Sequence, residues 1–184
     1  WCAPGASART VRVVGVPAAL VERGGFSWGG SLAESESQRA NPWLLLDQAA
    51  EDKAVPIALD ANTATYSLKI GLGDSFAIDD GHGGTIDCRV VALLKNSIFQ
   101  GDMLMSERSF LASFPETSGY RMLLVDAPED AADQVSQTLE AALGDYGLDV
   151  ERCDDRLRGF MAVQNTYLST FQSLGALGLL LGTF

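Results

Sequence analysis

Histidine and cysteine are nearly missing from this chain, which has one His and three Cys in 184 residues. His82 alone excludes a His pair, and three Cys are too few for a four-thiolate zinc site or a disulfide scaffold. Positive charge is scarce too: 13 Lys plus Arg stand against 24 Asp plus Glu, a formal charge of -11. Phosphate backbones and anionic headgroups would be repelled, so no nucleic-acid partner is expected. The sequence has no phosphate-cradling loop, no GxGxxG and no nucleophile elbow; Gly71-Leu72-Gly73-Asp74 reads as a turn. The expectation is a protein that is not an enzyme, with no catalytic, cofactor-binding or metal-ligating residues.

Apolar residues make up 47% and charged residues 20%, the balance of a foldable globular chain. A chain of 184 residues suffices for one domain of about 150 residues or for two small lobes. It opens at Trp1 without a basic or apolar leader, which reads as a piece of a longer protein. After Arg158 no charged residue occurs through Phe184, a run of 26 positions. Gly159 to Ser173 keeps polar residues such as Gln164, Asn165 and Gln172, whereas Leu174 to Phe184 (LGALGLLLGTF) is apolar but for Thr183. Eleven residues are fewer than the roughly 20 a membrane helix needs, so they read as the first part of a span or as a buried core helix. Gly175, Gly178 and Gly182 favour the membrane, because Gly costs roughly 1 kcal/mol in a soluble helix and suits packed membrane faces. The membrane-entering residues are therefore expected to be Leu174, Gly175, Gly178, Leu180 and Gly182.

Val11 to Val16 reads as a strand ended by Pro17, with a Gly-punctuated loop after it. Ser31 to Asn41 is polar, an exposed loop or frayed helix, and Asn41 with Pro42 opens a short helix through Ala50. Trp28 and Trp43 are expected in the core. From Val55 to Ser106 the pattern is β-rich: Val55 to Leu59, a turn capped by Asn62, Ser75 to Ile78, a hairpin tip at Asp79 to Gly84, Thr85 to Leu94, and Met103 to Met105. This third reads as a twisted antiparallel β-lobe. Ser106 opens a helix that Pro115 stops. Then Arg121 to Val125, a helix after Pro128 closed by Gly144, and Leu148 to Cys153 read as β-α-β, half of a ferredoxin-like unit. Ala131, Val135, Leu139 and Leu143 would pack on its sheet. Asp154 or Asp155 caps a last helix, expected from Asp155 to Phe184. Leu157, Phe160, Met161, Gln164, Tyr167, Leu168, Phe171, Leu174 and Gly178 follow in steps of three or four along it, a stripe for another helix.

His82 with Asp79, Asp80 and Asp87 offers metal-ligand chemistry on paper, yet Asp, Gly and His are common at hairpin tips for conformational reasons. Asp126 to Asp155 holds ten acidic residues against Arg152 alone. This is either a solvated helix face or a docking surface for a basic partner, with Asp126, Glu129, Asp130 and Asp133 as its residues. Cys88 and Cys153 fall on expected strands, where a free Cys is usually small and buried; Cys2 is left open, as is the pairing of all three.

VPIALDANTATYSLKIGLGDSFAI (Val55 to Ile78), GYRMLLVDAP (Gly119 to Pro128) with DYGLDV after it, and above all NTYLSTFQSLGALGLLLGTF (Asn165 to Phe184) resemble the FtsX-like permeases of ABC transporters, in the extracytoplasmic region similar to the MacB periplasmic core. The resemblance implies an α+β fold with two lobes: a β-rich one at about 55–106 and a ferredoxin-like α/β one from the rest of 1–154. A stalk helix at 155–184 would lead into a membrane span. It also implies a place in the bacterial inner membrane, with the domain facing the periplasm or cell exterior. The partners implied are a cytoplasmic ABC ATPase subunit, a second permease in a dimer, and a periplasmic adaptor or hydrolase. Such a domain transmits ATP-driven motion and contacts cargo, in lipoprotein sorting or in export of small molecules or peptides. The alternative is an interaction or sensor module that regulates a periplasmic cell-wall hydrolase.

Overall fold

The computed structural model describes residues 11–48 and 53–182; within 161–182 side chains are described only at 169 and 171–176. Two compact units divide the chain, Trp1–Gly119 and Tyr120–Phe184. The fold is α+β, built on one six-stranded mixed sheet and several helices.

The strands of the first unit are β1 (Arg12–Val16), β2 (Ser27–Ser31), β3 (Val55–Asp60), β4 (Ser75–Asp79), β5 (Thr85–Lys95) and β6 (Asp102–Ser106). Their order is β1-β6-β3-β5-β2, with β4 also on β5. Alternation along β5 and the turn residues on either side account for the expected middle strands. The expected antiparallel lobe is corrected in two ways. β3 runs parallel to β5, and β1 parallel to β6. The sheet also takes two strands from the N-terminal segment, one of them at Gly29-Gly30, where a loop was expected. The reason is the edge that β5 offers: β4 covers its first half and β2 its second, by antiparallel ladders.

One sheet face carries Ile57, Leu59, Cys88, Val90, Met103 and Met105, all fully buried. Phe110 packs on it from α1, the helix Glu107–Ser113, and so does Phe114, the residue that ends that helix. Its N-terminus follows sequence chemistry, since the Ser109 N–H donates to Ser106 Oγ at 3.2 Å. The opposite face buries Ala58, Ala92, Leu94 and Leu104. Against β3, β5 and β6 packs a 3-10 helix, Pro42–Asp47, whose Trp43, Leu45 and Leu46 are buried. This helix was expected to reach Ala50, but 49–52 lie outside the described residues. Asn41 does not cap it; its Nδ2 instead donates to the Val21 carbonyl at 2.7 Å. Val91 is an extra residue in β5, because Ile57 pairs with Val90 and Ala58 with Ala92. That bulge turns Leu93 to the first face and Leu94 to the second.

Trp43 is 0% exposed and meets two rings edge-on, Phe26 at 5.4 Å and Trp28 at 4.9 Å between centroids. At Gly15 in β1 a Cβ would stand 3.0 Å from Phe110 Cβ, so glycine permits the close approach of strand and helix. β1 is fastened to β6 by Arg12 and Asp102, directly opposite in register, at 2.8 Å through Nε and 2.6 Å through Nη2.

In the second unit the helices are α2 (Ala132–Leu143), after a 3-10 turn Glu129–Ala131, and α3 (Cys153–Gly182). The expected strands Arg121–Val125 and Leu148–Cys153 do not form: neither stretch joins a ladder, and Cys153 already opens α3. An apolar stretch becomes a strand only where a neighbour accepts its backbone hydrogen bonds. Gly144 is the residue that ends α2, as expected, but without a left-handed backbone. It keeps right-handed backbone into the 3-10 turn Gly144–Tyr146, and Gly147 at φ 81° takes the left-handed position. No described residue of this unit is fully buried; Ala131, Val135 and Leu139 are half-exposed and Leu143 is exposed.

Candidate functional site

At the hairpin tip the acidic side chains organise the turn. Asp79 Oδ1 accepts from the Gly81 N–H at 2.6 Å, and Asp80 Oδ1 accepts from those of His82 and Gly84, both at 2.8 Å. Those donors, His82 first, hold the Asp80 carboxyl below the usual carboxylate range. Among the described residues no group of three His, Cys, Asp or Glu is placed to hold a metal.

Asp60 was not singled out in the sequence, yet it is a fully buried carboxyl at the end of β3, 1% exposed. Its Oδ1 accepts from the Asn62 N–H at 3.0 Å and opens the wide π-type turn Thr63–Leu68. Asp60 therefore does what Asn62 was expected to do, since the Asn62 side chain makes no cap. Burial pushes the Asp60 carboxyl up, and the N–H groups of Asn62, Thr63 and Ser97 only partly offset it. An acid with a raised folded pKa binds its proton more tightly in the native state. Its contribution to stability is therefore largest at low pH and falls as pH rises from the unfolded value of 3.8 through the folded one. Asp60→Asn keeps the acceptor and removes the charge. Relative to the parent it is expected to gain stability between pH 4 and pH 7, read from urea midpoints of both proteins. A gain for the parent over that range would show that the carboxylate is the favoured form.

The four acidic residues expected to form a partner surface, Asp126, Glu129, Asp130 and Asp133, are all exposed. Asp133 is engaged within its own unit: its Oδ1 accepts from Arg152 Nη1 at 2.9 Å. Arg152 also donates to Asp154 Oδ1 at 3.2 Å, which holds the Asp154 carboxyl below its usual range.

α3 begins charged and loses charge along its length. Asp154 and Asp155 stand in its first turn, rather than capping it, and Arg158 donates to them at 2.7 Å and 2.6 Å. Arg156 reaches Glu151 at 3.1 Å and lies over the Phe160 ring, 5.9 Å from its centroid. Further on, the helix leaves Phe171 70% and Leu174 60% exposed. Of the residues expected to enter a membrane, Leu174 and Gly175 are exposed; for Gly178, Leu180 and Gly182 the structure gives the helical backbone. The helix runs through all three glycines without a break. The expected end at Phe184 lies outside the described residues, and no helix among them is long and apolar enough to cross a membrane. Compared with family models, with curated proteins and with solved structures, the chain matches none.

Proposed function

We propose that the chain is the extracytoplasmic domain of an FtsX-like ABC transporter permease of the MacB-like kind. The observation that carries this reading is α3: thirty residues of helix, charged at the start and without charge from Gly159 onward. On this reading the sheet of the first unit is the core of the β-rich lobe. The α/β lobe draws on the remainder of 1–154, and 155–184 is the stalk, with Leu174 to Phe184 as the entering part of a span. The domain faces the periplasm or cell exterior. ATP hydrolysis belongs to a cytoplasmic ATPase subunit, whose closing moves the membrane helices, and the stalk carries that motion to cargo or partner proteins.

In cells, a label on a Leu180→Cys variant is expected to be shielded by lipid, while one on an Arg156→Cys variant reacts with a membrane-impermeant reagent from outside. Free access of water to position 180 would overturn the membrane reading.

A second reading, regulation of a periplasmic cell-wall hydrolase, is favoured by the exposed acidic surface at Asp126, Glu129 and Asp130. It predicts that a hydrolase, rather than an export adaptor, is retained by the intact complex and lost on Glu129→Lys with Asp130→Lys.

A further inference from the structure

From the ion pairs of the second unit we infer that Arg152 couples α3 to α2, a clasp that makes the two helices move together. The clasp stands on geometry; its role as a relay rests on the proposed stalk, and names the residue through which motion of α3 leaves that helix. Arg152 immediately precedes Cys153, the first residue of α3, and two helices share its guanidinium. Nη1 donates to Asp133 Oδ1 in the first turn of α2 at 2.9 Å, and Nε donates to Asp154 Oδ1 in the first turn of α3 at 3.2 Å. Asp154 in turn accepts through Oδ2 from Arg158 Nη2 at 2.7 Å, and Arg158 Nη1 donates to Asp155 Oδ1 at 2.6 Å. One chain of alternating charge thus runs from α2 into the second turn of α3.

Three observations single out this link. Packing does not fix the angle between the helices, because no residue of α2 and none at 151–160 is buried. Nor does the backbone, since 148–152 is not helical and joins no strand ladder. The third is charge: Arg152 is the one cation among ten acidic residues from Asp126 to Asp155. A lone exposed ion pair does little, but here a planar group meets two carboxylates through two different nitrogens, which fixes it in two directions. Without Arg152 the carboxylates it joins repel across the same gap, so its loss drives α2 and α3 apart instead of merely releasing them.

The test measures the distance between spin labels on Gln137→Cys in α2 and Ser169→Cys in α3, both exposed, in the full chain in mild detergent with Cys2→Ser and Cys153→Ser. This parent is expected to give a narrow distribution. Arg152→Gln should widen it roughly twofold, and so should Asp133→Ala, an exposed position whose change leaves folding alone. Asp133→Glu keeps the charge and should stay narrow. The double variant should be no wider than Arg152→Gln, since both changes remove one link. Salt at about 1 M, where the Debye length is about 3 Å, should widen the parent and leave Arg152→Gln as it is. Far-UV circular dichroism checks that helix content is kept. Equal widths in the parent and both single variants, or a parent indifferent to salt, would overturn the clasp. Lipid shielding at position 180 is a separate measurement: shielding with unchanged widths sinks the clasp and leaves the permease reading standing. Widened distributions without shielding keep the clasp and sink its role as a relay.

Discussion

Trp43→Ala is expected to destabilise the first unit by about 3–5 kcal/mol, a large part of what a domain of this size has. The indole is 0% exposed, and removing it takes one ring from two edge-to-face contacts, with Phe26 and with Trp28. The surroundings have little room to collapse. Trp43 stands on a short 3-10 helix begun by Pro42 and anchored by the buried Leu45 and Leu46, while Leu44 between Trp43 and Leu45 is exposed. Phe26, held at φ 69°, has a conformation that a bulky residue keeps only when packing compensates it, so losing Trp43 also loosens that strain. Urea unfolding followed by circular dichroism measures the loss, and Leu44→Ala on the solvent side is the comparison, at under about 1 kcal/mol. Equal losses at 43 and 44 would mean that the helix is turned the wrong way.

Cys88 is expected to react with a thiol reagent at pH 8 on the order of 1,000-fold more slowly than an unperturbed cysteine, until the protein unfolds. Its strand β5 lies between β3 and β4, its side chain is buried in the core on the first sheet face, and desolvation, with a smaller push from Asp87, raises the thiol to about 12. Only the thiolate attacks, and at that value it is a minute fraction of the population. Cys153, exposed at the first position of α3, labels at an ordinary rate in the same sample. Counting modified thiols against time in a Cys2→Ser variant, with and without denaturant, separates the two. Rapid native labelling of Cys88 would place the β5 face in solvent.

Residues whose structure is settled by near neighbours were legible from the sequence. Ile86, Cys88, Val90 and their polar alternates describe β5 down to its half-buried start, and Ser106 marks the start of α1 because its hydroxyl caps locally. Residues whose structure depends on a distant partner were not. The β2 stretch, Ser-Trp-Gly-Gly-Ser, shows no alternation and becomes a strand because β5 has a vacant edge beyond β4. Conversely Arg121 to Val125 has a strand's composition, and Leu123 and Val125 stay 61% and 59% exposed without a ladder. Asp60 was passed over for a similar reason: Asp after a strand reads as a turn residue at the surface, and only its packing makes it a buried acid. Of the candidate site, the loss of charge after Arg158 and the helical stripe were visible in the residues alone, because both are properties of one continuous element.

The pairing of β1 with β6 bears on how the protein is made. Arg12 and Asp102 are 90 residues apart in the chain, yet they face each other across one ladder. A ribosome must therefore synthesise the 90 residues that separate them before β1 can find its neighbour. During that interval Val13, Val14 and Val16 have no sheet to join. Long-range closure of this kind is slow, so the synthesis of residues 17–101 is the interval in which proteolysis and aggregation compete with the pairing of β1.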